Sequence, residues 1–344
     1  MLDNITVSSS PHISKLLSTR RVMLDVIISL VPAMVAAGYY FRIYAFVLIA
    51  TCVISAVATE LLCNVIRRRP NPFESLGDFS AVLTGIILAF SVPPALPVWA
   101  AIIGSAFAIA IGKMVFGGLG SNIFNPAMVG RAFLTASFGM LMTTWTVPAT
   151  INPAMPKIVL TEADPAKIVD ARTQATPLAL SKQAIKAKEN TYLVNKQLRA
   201  MFTGEIGGCL GETSALALLI GAAFLLLRRT INFHIPLAVL SSAFVFGSIA
   251  YLLNPDAYIS PLAHLGCGGL LLCAFFIATD PVTAPLSTKG MWIFGIGVGA
   301  ITMLIRIVGE YPEGVMFSVL LMNAVTPLID RLCKLVPAGG KPNA

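Results

Sequence analysis

Apolar runs of roughly 20 residues, the length needed to cross a bilayer as a helix, recur along this chain between short polar or basic punctuations. They fall at 23–41, 43–65, 79–95, 98–116, 127–147, 213–227, 235–253, 263–279, 291–308 and 314–330. The pattern predicts an all-α polytopic membrane protein of about ten transmembrane helices. A transmembrane barrel would alternate apolar and polar residues with period two, and the runs do not. One polar interruption is long, about 65 residues at 148–212, and loops of that length without their own fold tend to be functional. The expected organisation is an N-terminal segment 1–22, a five-helix group 23–147, the loop 148–212, a second five-helix group 213–330 and a tail 331–344.

Charge placement adds sidedness. With the N-terminus inside, fourteen basic residues fall at cytoplasmic ends: Lys15, Arg20, Arg21, Arg67, Arg68, Arg69, Lys113, Arg131, Arg228, Arg229, Lys289, Arg331, Lys334 and Lys341. The short outer loops hold only Arg42 and, near a span end, Arg306; the lysines of 148–212 do not count, since long loops translocate largely regardless of charge. This bias puts both termini in the cytoplasm and the long loop outside. Composition agrees, with 56% hydrophobic and 12% charged residues against about 25% charged in a soluble domain. The net charge of +8 reports topology and implies no nucleic acid. The first twenty residues lack the apolar core of a signal peptide.

An internal duplication is visible at an offset of 188 residues. "FSVPPALP" (90–97) resembles "IATDPVTAP" (277–285), aligning Pro93 with Pro281 and Pro97 with Pro285. The same offset lays Phe124-Asn125-Pro126 on Pro312-Glu313-Gly314. Five spans per half is an odd number, so the halves run in opposite orientations, an inverted repeat of the kind found in transporters. Each half carries an apolar run ended by proline. Such breaks mark a site near the bilayer midplane, or they are surface turns where proline ends a helix; both readings stand. Phe90, Pro93, Asp280 and Pro281 are the candidate ion-path residues, with Asp280 the acid at a break.

Asp25, Glu60 and Arg306 also fall inside spans, where a charge is costly and suggests function. Each lies near a span end, which favours snorkelling or surface pairing. Arg20 or Arg21 is the expected partner of Asp25, and Glu310, one turn on, that of Arg306. The six cysteines and three histidines form no ligand motif, and the cysteines read as buried thiols.

The loop contains "DARTQATPLAL" (170–180). Locally, Thr176 followed by Pro177 reads as a helix N-cap with proline in the first turn, opening an amphipathic helix to about Asn190. "NFHIPL" and "GETSALALL" read as helix starts as well. The motif also resembles the D-x-x-(S/T)-x-A-T flavin-attachment motif of bacterial respiratory flavoproteins. "SSSPHISKLLSTRRVMLDVIISLVPA" (8–33), "NPFESLGDFSAVLTGIILAFSVPP" (71–94), "NIFNPAMVGRAFL" (122–134) and "GGCLGETSALALLIGA" (207–222) are similar, in order, to the D-subunit family of the Rnf complex. That complex is an ion-translocating ferredoxin:NAD oxidoreductase. The B-type subunit of the sodium-pumping NADH:quinone oxidoreductase is a related protein with a longer N-terminal extension.

The resemblance implies FMN joined to Thr176 through a phosphoester by a flavin transferase, with Asp170, Thr173 and Ala175 completing the motif. The family commonly has Ser-Gly where this chain has Thr173-Gln174. A second, non-covalent flavin is suggested by the relative and left open. Implied partners are the A-, B-, C-, E- and G-type Rnf subunits, above all the G-type FMN subunit and the membrane iron–sulfur subunits. The family also resembles the urea- and ammonium-channel fold. Electrons would pass between ferredoxin and NAD, coupled to Na+ or H+ movement, and no catalytic acid or base is called for because the flavin carries the chemistry. The rival readings are a component like the B-type subunit of the quinone-reducing pump and a small-solute channel without redox function.

Overall fold

A computed structural model describes residues 18–145, 176–187, 198–204, 207–212 and 214–334. Among them the regular structure is entirely helical. The motif residues Asp170, Thr173 and Ala175 lie outside the described residues, as does most of the long loop.

Helix α1 (Thr19–Phe41) is capped by Ser18, whose Oγ accepts the Arg21 N–H at 3.3 Å. A single residue, Arg42, joins it to α2 (Ile43–Ile66). Helix α3 (Ser80–Phe90) has only 11 residues, about 16 Å at 1.5 Å per residue. It ends in a proline turn at Ser91–Pro97. Helix α4 (Val98–Ile109) passes into a π-helical turn at Ala110–Met114. Helix α5 (Pro126–Ser137) starts on an Asn125 cap with proline in its first turn. Helix α6 (Pro177–Ala187) begins on Thr176, whose Oγ1 accepts the Ala179 N–H at 3.1 Å. The cap expected from the sequence is therefore present.

Helix α7 (Ala215–Leu227) is capped by Ser214 and α8 (His234–Leu253) starts within "NFHIPL", as the local signals predict. The run expected as one span at 263–279 is interrupted. Helix α9 (Pro261–Gly266) stops, Cys267 is extended, Gly268 takes φ +66°, and the helix resumes at Leu270–Leu272 and a π turn, Cys273–Ile277. Proline ends this second stretch at Pro281, but the break inside the apolar run is made by Cys267–Gly269. Helices α10 (Thr288–Ile307) and α11 (Val315–Leu332) complete the described chain.

Five helices, α1, α2, α8, α10 and α11, are long and apolar enough to cross a membrane, and α3, α4 and α7 are shorter apolar helices. The chain is a multi-pass membrane protein. Helix α2 packs on α3 and α4, and α4 on α5. Helix α8 packs on α9 and α10, and α10 on α11. Contacts of α1 with α7 and of α5 with α11 join the two groups. Apolar side chains such as Val35, Ile54, Leu227 and Leu252 point outward, as a lipid-facing surface requires.

Inside a membrane, helices are held by close packing and not by expulsion of water. The α8–α10 contact depends on this. A Cβ on Gly299 would stand 2.6 Å from the Val239 carbonyl oxygen, and one on Gly295 would stand 2.6 Å from Ala238 Cβ and 3.0 Å from the Ile235 carbonyl oxygen. A Cβ on Gly297 would instead meet the end of the flexible Met322 side chain. We expect Gly299→Ala to cost about 1–3 kcal/mol, the usual scale of overpacking, and Gly297→Ala clearly less. Thermal unfolding of the two variants in detergent, followed side by side, checks the order.

Candidate functional site

Three places bring polar groups together within the bundle. The first is the start of α6. Thr176 is buried, and Leu178 packs with Ile259, Ala263 and Cys267. Lys182, one turn further, donates to the carbonyls of Ile305 and Gly309 at the C-terminal end of α10. The Thr176 oxygen thus lies at a helix N-terminus, where amides and the helix dipole favour an anion.

The second place is the break in 261–277. Arg306 donates to the carbonyls of His264 at 2.7 Å and Cys267 at 3.1 Å, on the stump where α9 ends. It also pairs with both oxygens of Glu313, at 3.1 and 3.2 Å. Glu313 in turn accepts the Gly269 N–H at 3.0 Å, where the helix resumes, and the N–H groups of Gly314 and Val315. A cation on free carbonyls and an anion on a free amide is the arrangement helix dipoles favour. Gly268 has no side chain because any Cβ would collide with Glu313, Arg306 and Leu178.

The α3 turn meets the same place. The Leu210–Glu212 turn packs on it: Leu210 N donates to the Val92 carbonyl at 3.4 Å, and Cys209 Sγ donates to the Ser91 carbonyl at 3.3 Å. Glu212 is buried beside Gly269, with the Arg131 guanidinium 4.0 Å from its carboxyl. Burial pushes the Glu212 carboxyl above the ordinary carboxylate range, and the Glu313 charge adds to this. Burial opposes ionisation of Glu313 as well, but Arg306 and Arg131 outweigh it and hold Glu313 below that range.

The third place lies at the other end of α10. A cleft of about 330 Å³ is lined by residues including Met23, Ile231, Ile235, Thr279, Pro281 and Met291. A smaller one of about 80 Å³ shares Met23, Ile231, Thr279 and Pro281 with it and adds Ser80, Ile87, Lys113, Asn125 and Asp280. Lys113 is delivered by the π turn to Glu60 Oε2 and Ser80 Oγ, both at 2.7 Å, with the ion pair almost wholly buried. Asp280 forms an ordinary turn, accepting the Val282 N–H and the Thr283 hydroxyl.

The predicted ion-path residues therefore fall in two groups. Asp280 and Pro281 line the clefts, whereas Phe90 and Pro93 are buried at the far end of α3, against the Leu210–Glu212 turn. The smaller cleft reaches Ile87, one turn short of Phe90. Asp25 pairs with Arg228 at 3.0 Å and Thr230 at 3.1 Å, tying α1 to the end of α7 instead of pairing with Arg20 or Arg21. Arg306 takes Glu313, not Glu310. Asp25, Glu60 and Arg306 are all buried, so surface snorkelling does not describe them. Lys113 and Arg131, counted above as cytoplasmic flanks, are buried too. The sequence signal for Asp25 and Glu60 is weak, since their partners come from distant segments, whereas Glu313 lies only 7 residues beyond Arg306; Arg131 sits five residues inside α5 and not at its end.

The fold and these sites define a helical multi-pass membrane protein whose interrupted segments meet over buried ion pairs. The chain belongs to the NQR2, RnfD, RnfE family, which its sequence matches over residues 6–339. It is 44% identical to the D-type subunit of the Na+-translocating ferredoxin:NAD+ oxidoreductase complex of Acetobacterium woodii, over 96% of this chain and 94% of that protein. It is 41% identical to the D-type subunit of the proton-translocating ferredoxin:NAD+ oxidoreductase complex of Clostridium ljungdahlii, over 97% and 96%. Against the D-type subunit of the ion-translocating oxidoreductase complex of Cronobacter sakazakii the identity is 40%, over 94% and 96%.

Removing one member of a buried pair strands the other in a medium that solvates it poorly. Lys113→Met should cost about 3–5 kcal/mol, and the double variant Glu60→Gln/Lys113→Met should regain most of it. Unfolding midpoints of the single and double variants in one detergent test this coupling.

Proposed function

We propose that the chain is the membrane subunit of an Rnf-type complex that carries FMN on Thr176. In this reading it takes part in electron transfer between ferredoxin and NAD that is coupled to Na+ or H+ movement. The observation that carries the proposal is near-full-length similarity to D-type subunits of such complexes, combined with a threonine oxygen at the start of α6 in the sequence "DARTQAT". The residues present fit the group. A phosphoester oxygen at Thr176 can accept the Ala179 N–H that the hydroxyl accepts now, and the helix N-terminus favours the phosphate. Bound FMN supplies one-electron chemistry. The chain's part is to hold it and tune its surroundings. A flavin transferase and the other Rnf subunits are the partners this reading requires.

Ten spans in two inverted halves also belong to the proposal. What supports them is the offset of 188 residues and the way the two groups meet. The first helices, α1 and α7, contact each other, and so do the last, α5 and α11. With Lys113 and Arg131 set aside, the basic residues outside the long loop still fall overwhelmingly on one side, which supports termini in the cytoplasm and α6 outside. In the ion path, Phe90 would stand between the cleft at Asp280 and the turn at Glu212. Similarity to D-type subunits over almost their whole length favours this reading over one based on the quinone-reducing pump. A channel without redox function would lack the flavin.

Two measurements test the proposal. The chain purified from a host with the transferase should give a flavin-fluorescent band on a denaturing gel and a mass raised by one FMN, and Thr176→Ala should lose both. An unmodified wild-type chain would overturn the flavin assignment. A reporter fused near residue 180 should be active only outside the cytoplasm; activity inside would invert the topology.

A further inference from the structure

The buried quartet Arg131, Glu212, Arg306 and Glu313 is balanced in formal charge but not in hydrogen bonds. Glu313 has the Arg306 guanidinium at 3.1 and 3.2 Å and three backbone N–H donors. Among the described residues Glu212 has one backbone donor, Cys209 N at 3.3 Å. Its nearest cationic nitrogen there, Arg131 Nη2, is 4.0 Å away and lies 3.9 Å from Cys209 Sγ. At 4.0 Å there is no hydrogen bond. A buried carboxylate so thinly compensated is costly, and an ionised neighbour raises the cost.

The other groups around Glu212 do not change this balance. From its own turn comes the neutral thiol of Cys209, which burial pushes well above the ordinary thiol range. The interrupted segment brings Cys267 and Cys273, and α5 brings Arg131. The turn before α11 brings Glu313, whose charge Arg306 of α10 already engages. The α3 turn that packs on Glu212 carries no charged residue. The charges of α1 (Arg20, Arg21 and Asp25) lie in its first two turns, where Asp25 pairs with Arg228 at the opposite end of α7 from Glu212.

We propose that Glu212 is a proton-binding site: a carboxyl that takes up and releases one proton, exchanging it with water at the end of the bundle carrying α6. The ligand is a proton and not a metal cation, because the carboxyl's neighbours are a guanidinium, a backbone N–H and a thiol, and the two arginines repel a free cation. Arg131 is the positioning residue. With the carboxyl protonated, it stands off beside Cys209; a movement of ~1 Å would bring it to hydrogen-bond distance and favour release of the proton. The assignment does not depend on the flavin at Thr176.

Infrared spectroscopy of the purified protein reads the site directly. As the pH is lowered, the wild type should gain a protonated-carboxyl component that is missing in Glu212→Gln. It should weaken in Glu313→Gln, where the repelling charge is gone and the arginines are left to Glu212, so that Glu212 ionises. Arg131→Gln should raise by at least one pH unit the pH at which the band disappears. Glutamine mimics the neutral acid, so Glu212→Gln should leave the unfolding midpoint nearly unchanged, whereas Glu313→Gln should lower it. A band that survives Glu212→Gln intact would overturn the proposal. So would a loss of stability in Glu212→Gln as large as that in Glu313→Gln.

Discussion

A helix interrupted within a membrane leaves carbonyls on one stump and amides on the other, and lipid cannot satisfy either. In this chain the interruption at Cys267–Gly269 is answered by one ion pair, Arg306 with Glu313. The pair does more than cancel charge. Arg306 belongs to α10 and Glu313 to the turn before α11, so closing the break also fixes those two helices against α9. Gly268 must be glycine for the pair to fit. The position of α6 follows as well, because Leu178 rests on the same segment and Lys182 caps the end of α10.

The α3 break is answered differently. Its carbonyls at Ser91 and Val92 are met by Cys209 and Leu210 from the segment that leads into α7. Among the described residues no ion pair closes it. The carboxyl of that segment, Glu212, faces the other break at Gly269. Two interruptions from distant parts of the chain therefore share one polar patch, at the end of α3 remote from Asp280. The Lys113–Glu60 pair, joined to Ser80 at the start of α3, is the counterpart near the clefts.

The sequence shows the fold better than it shows the site. Helix existence and most boundaries follow from apolar runs and caps: Ser18, Asn125, Thr176 and Ser214 each open a helix where the local signal puts one. The interrupted segment is hidden, because "LGCGGLLLC" is apolar throughout and apolarity does not report a φ of +66° at Gly268. The buried pairs are hidden for another reason. Their members are separated by 53 positions for Lys113 and Glu60 and by 203 for Arg228 and Asp25, so no local spacing rule reaches them. A charge near the end of an apolar run has two fates, a lipid headgroup or a distant partner. Only packing chooses between them.

Relatives named for Na+ and for H+ are 44% and 41% identical to this chain over nearly its whole length. Relatives this similar in sequence bear names for different ions, so a difference between those ions would rest on a few groups and not on the scaffold. A proton needs only one basic oxygen whose charged form is poorly compensated, whereas a metal cation needs several oxygens and no competing cation. Glu313, with five donor contacts, is set to stay ionised beside its guanidinium. Glu212, with the Cys209 N–H and an arginine held at 4.0 Å, takes up a proton more readily. Glu313 owes its charge to Arg306 and three backbone N–H groups, whereas for Glu212 the one adjustable partner is Arg131, about one ångström beyond hydrogen-bond distance. A change that small in a neighbouring element is enough to alter which of the two charges the bundle can hold.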